Sequence, residues 1–95
     1  MATGKDKDIA ALVAGCRNGN RFDWAELIDR LSPLIFSTCH KFRLSREESF
    51  DVFGKVSLLL LEYLSGLKED TRVFGYVSTI AYREAAAIKA RSRMT

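Results

Sequence analysis

Histidine and proline are nearly absent from this sequence: His40 is the only histidine and Pro33 the only proline. One histidine, with Cys16 and Cys39 far apart in the chain, offers no ligand spacing for a metal. There is no glycine-rich phosphate loop and no nucleophile elbow. Glu47 and Glu48 are adjacent and point in different directions on a helix, which suits capping better than paired acid–base work. These absences argue against an enzyme and against a bound metal or cofactor. The longest apolar run, Leu58 to Leu61, is far short of a membrane span. The first six residues carry no apolar signal core, so a cytoplasmic location is expected. A single proline and six glycines leave few breaks, which favours long helices over many short strands.

What is present fits one folded domain. The chain has 95 residues, of which 47% are hydrophobic and 28% charged, enough for a single modest core. Residues 1–95 are read as one domain, ordered from about 6 to 93. Cys16 and Cys39 fall among apolar helical positions and are read as reduced core residues. The net charge is +3, but its placement says more. Arg72 to Thr95 carries a net +4, whereas Lys5 to Asp70 carries −1. The basic excess thus lies in the last quarter of the chain, where it can serve phosphate or simply complement a helix C-terminus.

Apolar spacing predicts an all-α bundle of four helices. The first runs from about Asp6 to Asn18, with Ile9, Leu12, Val13 and Cys16 on one face, and stops at the turn Asn18-Gly19-Asn20. The second runs from about Asp23 to Phe42, with Asp23 as N-cap and Glu26 closing a capping box. Pro33 lies inside it and predicts a kink or break near Asp29 to Ser32. The third starts at the capping box Ser45-Arg46-Glu47-Glu48 and continues to about Ser65. Its facing stripe is read as Phe50, Phe53, Ser57, Leu60, Leu61 and Leu64, which leaves Leu58 and Leu59 hard to bury. The fourth runs from about Val73 to Arg93, with Phe74, Val77, Ile80, Ala81, Ala85 and Ile88 inward. Tyr76, Thr79, Tyr82, Arg83, Lys89 and Arg93 lie on its other side.

With catalysis set aside, the candidate binding surface is the segment 66–72 together with the polar face of the fourth helix. Tyr76 suits stacking on a base, Thr79 a hydrogen bond to a phosphate or base edge, and Arg83, Lys89, Arg91 and Arg93 the neutralisation of phosphate. For Tyr76, a half-buried packing role is the alternative.

The order of signals resembles region 2 of the sigma-70 family of RNA polymerase sigma factors, particularly the extracytoplasmic-function type, from Asp8 to about Arg93. The similarity is carried by Asn18-Gly19-Asn20 followed by Phe22, Trp24, Ala25, Glu26 and Leu27, by Leu31-Ser32-Pro33-Leu34-Ile35, by the stretch from Glu48 to Leu58, and by the stretch from Phe74 to Arg83. The resemblance implies a sigma region 2-like helical bundle with two surfaces. One would dock on the clamp helices of the polymerase β′ subunit through Asp51, Gly54, Lys55, Leu58 and Leu59. The other would hold melted non-template bases of the promoter −10 element. Its implied residues are Lys68 to Arg72, Thr71 among them, then Tyr76, Thr79 and Arg83; Lys89 and Arg91 join them from the charge reading above, on the phosphate backbone. An anti-sigma factor is a further implied partner. Gly54-Lys55 stands where the family has Gln-Glu, Tyr76 where it has tryptophan, Arg83 where it has asparagine and Ala87 where it has aspartate. The second domain that reads the −35 element is not in this sequence, so the chain is read as a fragment or a reduced member. The rival expectation is a helical protein–protein module that does not bind DNA and associates through Leu58 and its apolar neighbours.

Overall fold

The computed structural model describes residues 7–66 and 72–94. Within them the chain forms four helices, α1 (Ile9–Arg17), α2 (Arg21–Lys41), α3 (Arg46–Gly66) and α4 (Val73–Met94), and no strand. The all-α bundle expected from the spacing is what forms. Lys68 and Thr71 of the expected binding segment lie outside the described residues.

Each helix starts where a side chain satisfies its first amides. Asp8 accepts from the Ala11 N–H at 2.8 Å and caps α1. Asn20, not Asp23, caps α2: its Oδ1 accepts from the amides of Phe22 and Asp23 at 2.9 and 3.2 Å. The capping box placed at Asp23 and Glu26 does not form. Asp23 is a buried first-turn residue, and Glu26 instead accepts from Arg30 one turn on, at 2.8 Å. The box at the start of α3 does form. The Ser45 N–H donates to Glu48 Oε1 at 2.7 Å, and the Glu48 N–H donates to Ser45 Oγ at 3.1 Å. That amide holds the Glu48 carboxyl below its ordinary range.

Pro33 does not break α2, which runs through it. A proline at 33 leaves the Asp29 carbonyl without its helical amide. The Ser32 hydroxyl donates to that oxygen at 2.9 Å, so the acceptor is not left bare.

The core is a single cluster that draws on all four helices: Leu12 and Val13 of α1, Leu27, Leu31, Ile35 and Cys39 of α2, Val52, Val56, Leu60 and Leu64 of α3, and Val73, Val77, Ile80, Ala81 and Ala85 of α4. The α3 stripe is therefore turned from the one expected. Val52, Val56, Leu60 and Leu64 face inward at a four-residue step, while Phe50 and Leu61 remain 53% and 52% exposed. On α4, Phe74 is likewise exposed rather than inward. Phe36 stacks on Phe53 at 5.2 Å and meets the edge of Phe50 at 5.8 Å, joining α2 to α3 outside the core. Both cysteines are free thiols. Burial, with the Asp23 charge adding, pushes Cys16 up to about 11, and burial also raises Cys39, so both stay protonated at neutral pH.

One polar contact is built into the α1–α2 interface. The Asp23 carboxylate is nearly fully buried and takes both Lys7 hydrogen bonds, at 2.8 and 2.9 Å. It lies directly against Gly15, where an added Cβ would fall on the carboxylate. Gly54 on α3 has open space at the same position. Ordinarily, Gly to Ala inside a helix gains about 0.5–1 kcal/mol. Gly54→Ala is expected to follow that rule in urea unfolding. Gly15→Ala is expected to reverse it and cost about 3 kcal/mol, since it overpacks the interface and displaces a buried charge from its partner. Equal effects at the two sites would refute this account of the α1–α2 contact.

Candidate functional site

The outward face of α4 is set by what its other side must bury. With Val73, Val77, Ile80, Ala81 and Ala85 inward, residues 72, 76, 79 and 83 fall on one outward stripe at steps of three and four. Arg72, Thr79 and Arg83 on it are exposed and Tyr76 is half-buried. Lys89 is half-buried and Arg91 and Arg93 are exposed further along the helix. Glu84, the one acid of α4, is only half-exposed and lines the groove facing α3. The exposed positions of the described α4 thus carry arginines and no carboxylate.

At the start of this stripe lies a cleft of about 540 Å³ lined by Tyr63, Arg72, Gly75, Tyr76 and Thr79. Tyr63 and Tyr76 stack with ring centres 3.7 Å apart and planes 10° from parallel. The Tyr76 hydroxyl donates to the Leu59 carbonyl at 3.3 Å, which fixes the ring along α3. Gly75 contributes no side chain to the cleft, and the Thr79 hydroxyl donates to the Gly75 carbonyl at 3.0 Å. Tyr76 is thus half-buried and packed, the alternative role expected of it, and it also lines an open, aromatic-walled cleft. Burial raises the Tyr76 phenol, and Glu62 and Tyr63 raise it further. Tyr63 was not among the expected site residues. It comes from a different helix, and nothing in the local sequence announces a cross-helix stack.

The structure divides the rest of the expected set. Arg91 does not continue the strip: it lines a second groove with Glu48, Asp51, Lys55, Glu84, Ile88 and Ser92. There its charge stands among three carboxylates, two of them from α3. Lys89 lies near enough to Glu48 to lower that carboxyl. Of the residues implied for polymerase docking, Asp51, Gly54, Lys55 and Leu58 are exposed on α3, Leu58 at 62%. Leu59 does not join them. It is half-buried and packs against the core, while its carbonyl receives Tyr76.

No group of three or more metal-ligating side chains occurs among the described residues. None of the described helices is long and apolar enough to cross a membrane.

The raised Tyr76 phenol gives the stack a pH signature. A group whose pKa is higher folded than unfolded contributes stability that is intact below the unfolded value, near 10.0 here, and lost as pH rises through the folded value. Urea unfolding above about pH 9.5 is expected to show a steep alkaline loss in the parent protein. Tyr76→Phe keeps a ring for the stack but removes the ionising hydroxyl, and should make that loss shallower, leaving the part that the raised Cys16 and Cys39 thiols contribute. An unchanged alkaline limb would place its cause elsewhere.

No family model, no curated protein and no solved structure matches the chain.

Proposed function

We propose that this domain acts as a sigma-factor-like transcription initiation module in the bacterial cytoplasm, binding core RNA polymerase and stabilising the melted non-template strand of a promoter −10 element. The observation that carries this reading is the Tyr63–Tyr76 cleft, with Arg72 and Thr79 at its sides, on a helix face that exposes arginines and no acid. An unpaired base that leaves the duplex loses its stacking, and an aromatic wall replaces it at about 1–3 kcal/mol per base. Arg72 and Arg83 then supply backbone neutralisation along the same stripe. Opening is supported by binding energy alone, with no nucleotide hydrolysis. Polymerase docking on the β′ clamp helices is assigned to the exposed Asp51, Gly54, Lys55 and Leu58, and an anti-sigma factor would compete for these surfaces.

A second reading is favoured by a different observation. Phe50, Leu58 and Leu61 are each more than half exposed on α3, which fits a helical protein–protein module that leaves DNA alone. Salt separates the two. Binding to phosphate weakens steeply with added salt by counterion release, whereas apolar association hardly responds.

A fluorescence titration with single-stranded −10-like DNA, alone and with core polymerase, tests the first reading. Tyr76→Ala is expected to weaken single-strand binding about 5- to 100-fold. Arg83→Ala is expected to lower the slope of log affinity against log salt by about one. Absence of binding in both formats at low salt rejects the proposal in favour of the second reading.

A further inference from the structure

The end of α2 carries a second cluster of cations, and one of them sits in a conformation that costs the fold. Arg43 has φ 55°, the left-handed region, and is the only described non-glycine residue with positive φ. It closes α2 in the manner of a Schellman motif. The Arg43 N–H donates to the His40 carbonyl at 2.9 Å and the Leu44 N–H to the Cys39 carbonyl at 3.2 Å. Glycine fills that position without strain, as Gly19 does after α1 at φ 80°. A long cationic side chain standing where glycine would fit without strain points to use of the side chain rather than of the backbone.

Its surroundings show what that use is. From Thr38 to Arg46 the chain has His40, Lys41, Arg43 and Arg46 and no acid, and all four are exposed. Phe42, between Lys41 and Arg43, meets the Tyr82 ring of α4 at 5.1 Å and 70°. That contact brings the end of α2 against a stripe of α4 other than the one at Tyr76. Tyr82, Lys89 and Arg93 follow one another on it at seven and four residues, spanning roughly 16 Å. Tyr82 is 61% exposed. The nearby Glu48 carboxylate accepts from the Ser45 amide and also feels the charge of the half-buried Lys89, so Tyr82 and Arg93 are the more open members of this stripe. Phe42 occupies one flank of the Tyr82 ring, leaving the hydroxyl to meet a partner. Cations spread along a helix, with a phenol donor among them, match a row of regularly spaced phosphates rather than a single flipped base.

We infer that Lys41, Arg43, Tyr82, Lys89 and Arg93 form a phosphate-binding surface that holds the backbone of duplex DNA beside the cleft that takes unpaired bases. This inference extends the promoter-binding reading and shares its premise that the domain binds DNA. Arg43 is the residue whose removal separates binding from folding, because Arg43→Gly relieves the strained φ while deleting the charge.

The test uses the full chain with a fluorescently labelled duplex of about 20 base pairs and the matching labelled single strand, across a low-salt series. For Arg43→Gly, the melting temperature is expected to rise by about 3–6 °C. Duplex affinity should fall about five- to tenfold and its salt slope by about one, with single-strand affinity held within about twofold. Lys41→Ala should weaken duplex binding in the same direction. Duplex affinity unchanged in both variants, an equal loss on both probes, or a fall in melting temperature for Arg43→Gly would overturn the assignment. If single-strand binding is present and lost in Tyr76→Ala while the Arg43 and Lys41 variants bind duplex normally, this surface fails and the cleft stands. If the parent chain binds neither probe, both fail together.

Discussion

The rotational setting of α4 about its own axis is the constraint on which the rest of the surface depends. Val77, Ala81 and Ala85 have no exposed surface, and Ile80 almost none. Two alanines in that stripe let α4 lie close to α2 and α3, because a methyl group takes up little of the space between helix axes. A helix held this closely cannot turn by one residue without driving Tyr82 or Glu84 into a space made for a methyl group. The positions of Arg72, Tyr76, Thr79 and Arg83 therefore follow from the core rather than from their own contacts. Among described residues, Arg83 needs no partner to be held outward.

The anchoring of the bundle is divided between two kinds of interaction. α3 and α4 meet through apolar side chains and the Tyr63–Tyr76 stack. α1 meets α2 around a nearly buried carboxylate that has Lys7 as its partner and Gly15 as its floor. A charge in such a place adds little net stability even when paired, but a misplaced α1 would leave it without compensation. That contact specifies one register of a nine-residue helix whose two buried apolar residues alone would define it poorly. The Arg17 Nε donates to the Leu64 carbonyl at 3.3 Å, tying the same helix to the end of α3.

Much of this fold was legible in the sequence, and what was not has physical causes. The Ser45–Glu48 box was readable because both halves lie within four residues and neither depends on tertiary contacts. The cap of α2 was misplaced because Asn20, Asp23 and the Glu26 that follows all have capping chemistry. Only burial decides that Asp23 faces α1. The inward stripe of α3 was misread because Leu58 to Leu61 offer no contrast between faces, and Phe50 looks like a core residue. The stack of Phe36 on Phe53 covers part of that side from outside the core, so Val52 and Val56 take the interior instead. The cationic stripe on α4 was visible as a charge imbalance, yet the aromatic wall opposite Tyr76 was not, since Tyr63 is thirteen residues earlier on another helix. Nor does any sequence signal show that Arg43 takes a left-handed φ, because glycine normally marks that position.

The same division separates the residues that hold the bundle together from those that face outward. The contacts that hold the bundle together point inward or across α1–α2, whereas Arg72, Thr79, Arg83 and Tyr82 contribute little to the core. Substitutions at those four positions are therefore expected to leave folding largely intact. Tyr76 and Arg43 are exceptions in opposite senses. Tyr76 contributes to the scaffold through its stack and its bond to Leu59, so its truncation is expected to lower stability as well as the proposed base binding. Arg43 holds a left-handed φ that glycine adopts without strain, so its replacement by glycine is expected to raise stability. In the proposed reading, stability and binding thus move together at Tyr76 on α4 and apart at Arg43, at the end of α2. A residue that merely packs cannot produce the second pattern, because removing a packing contact does not make a fold stronger.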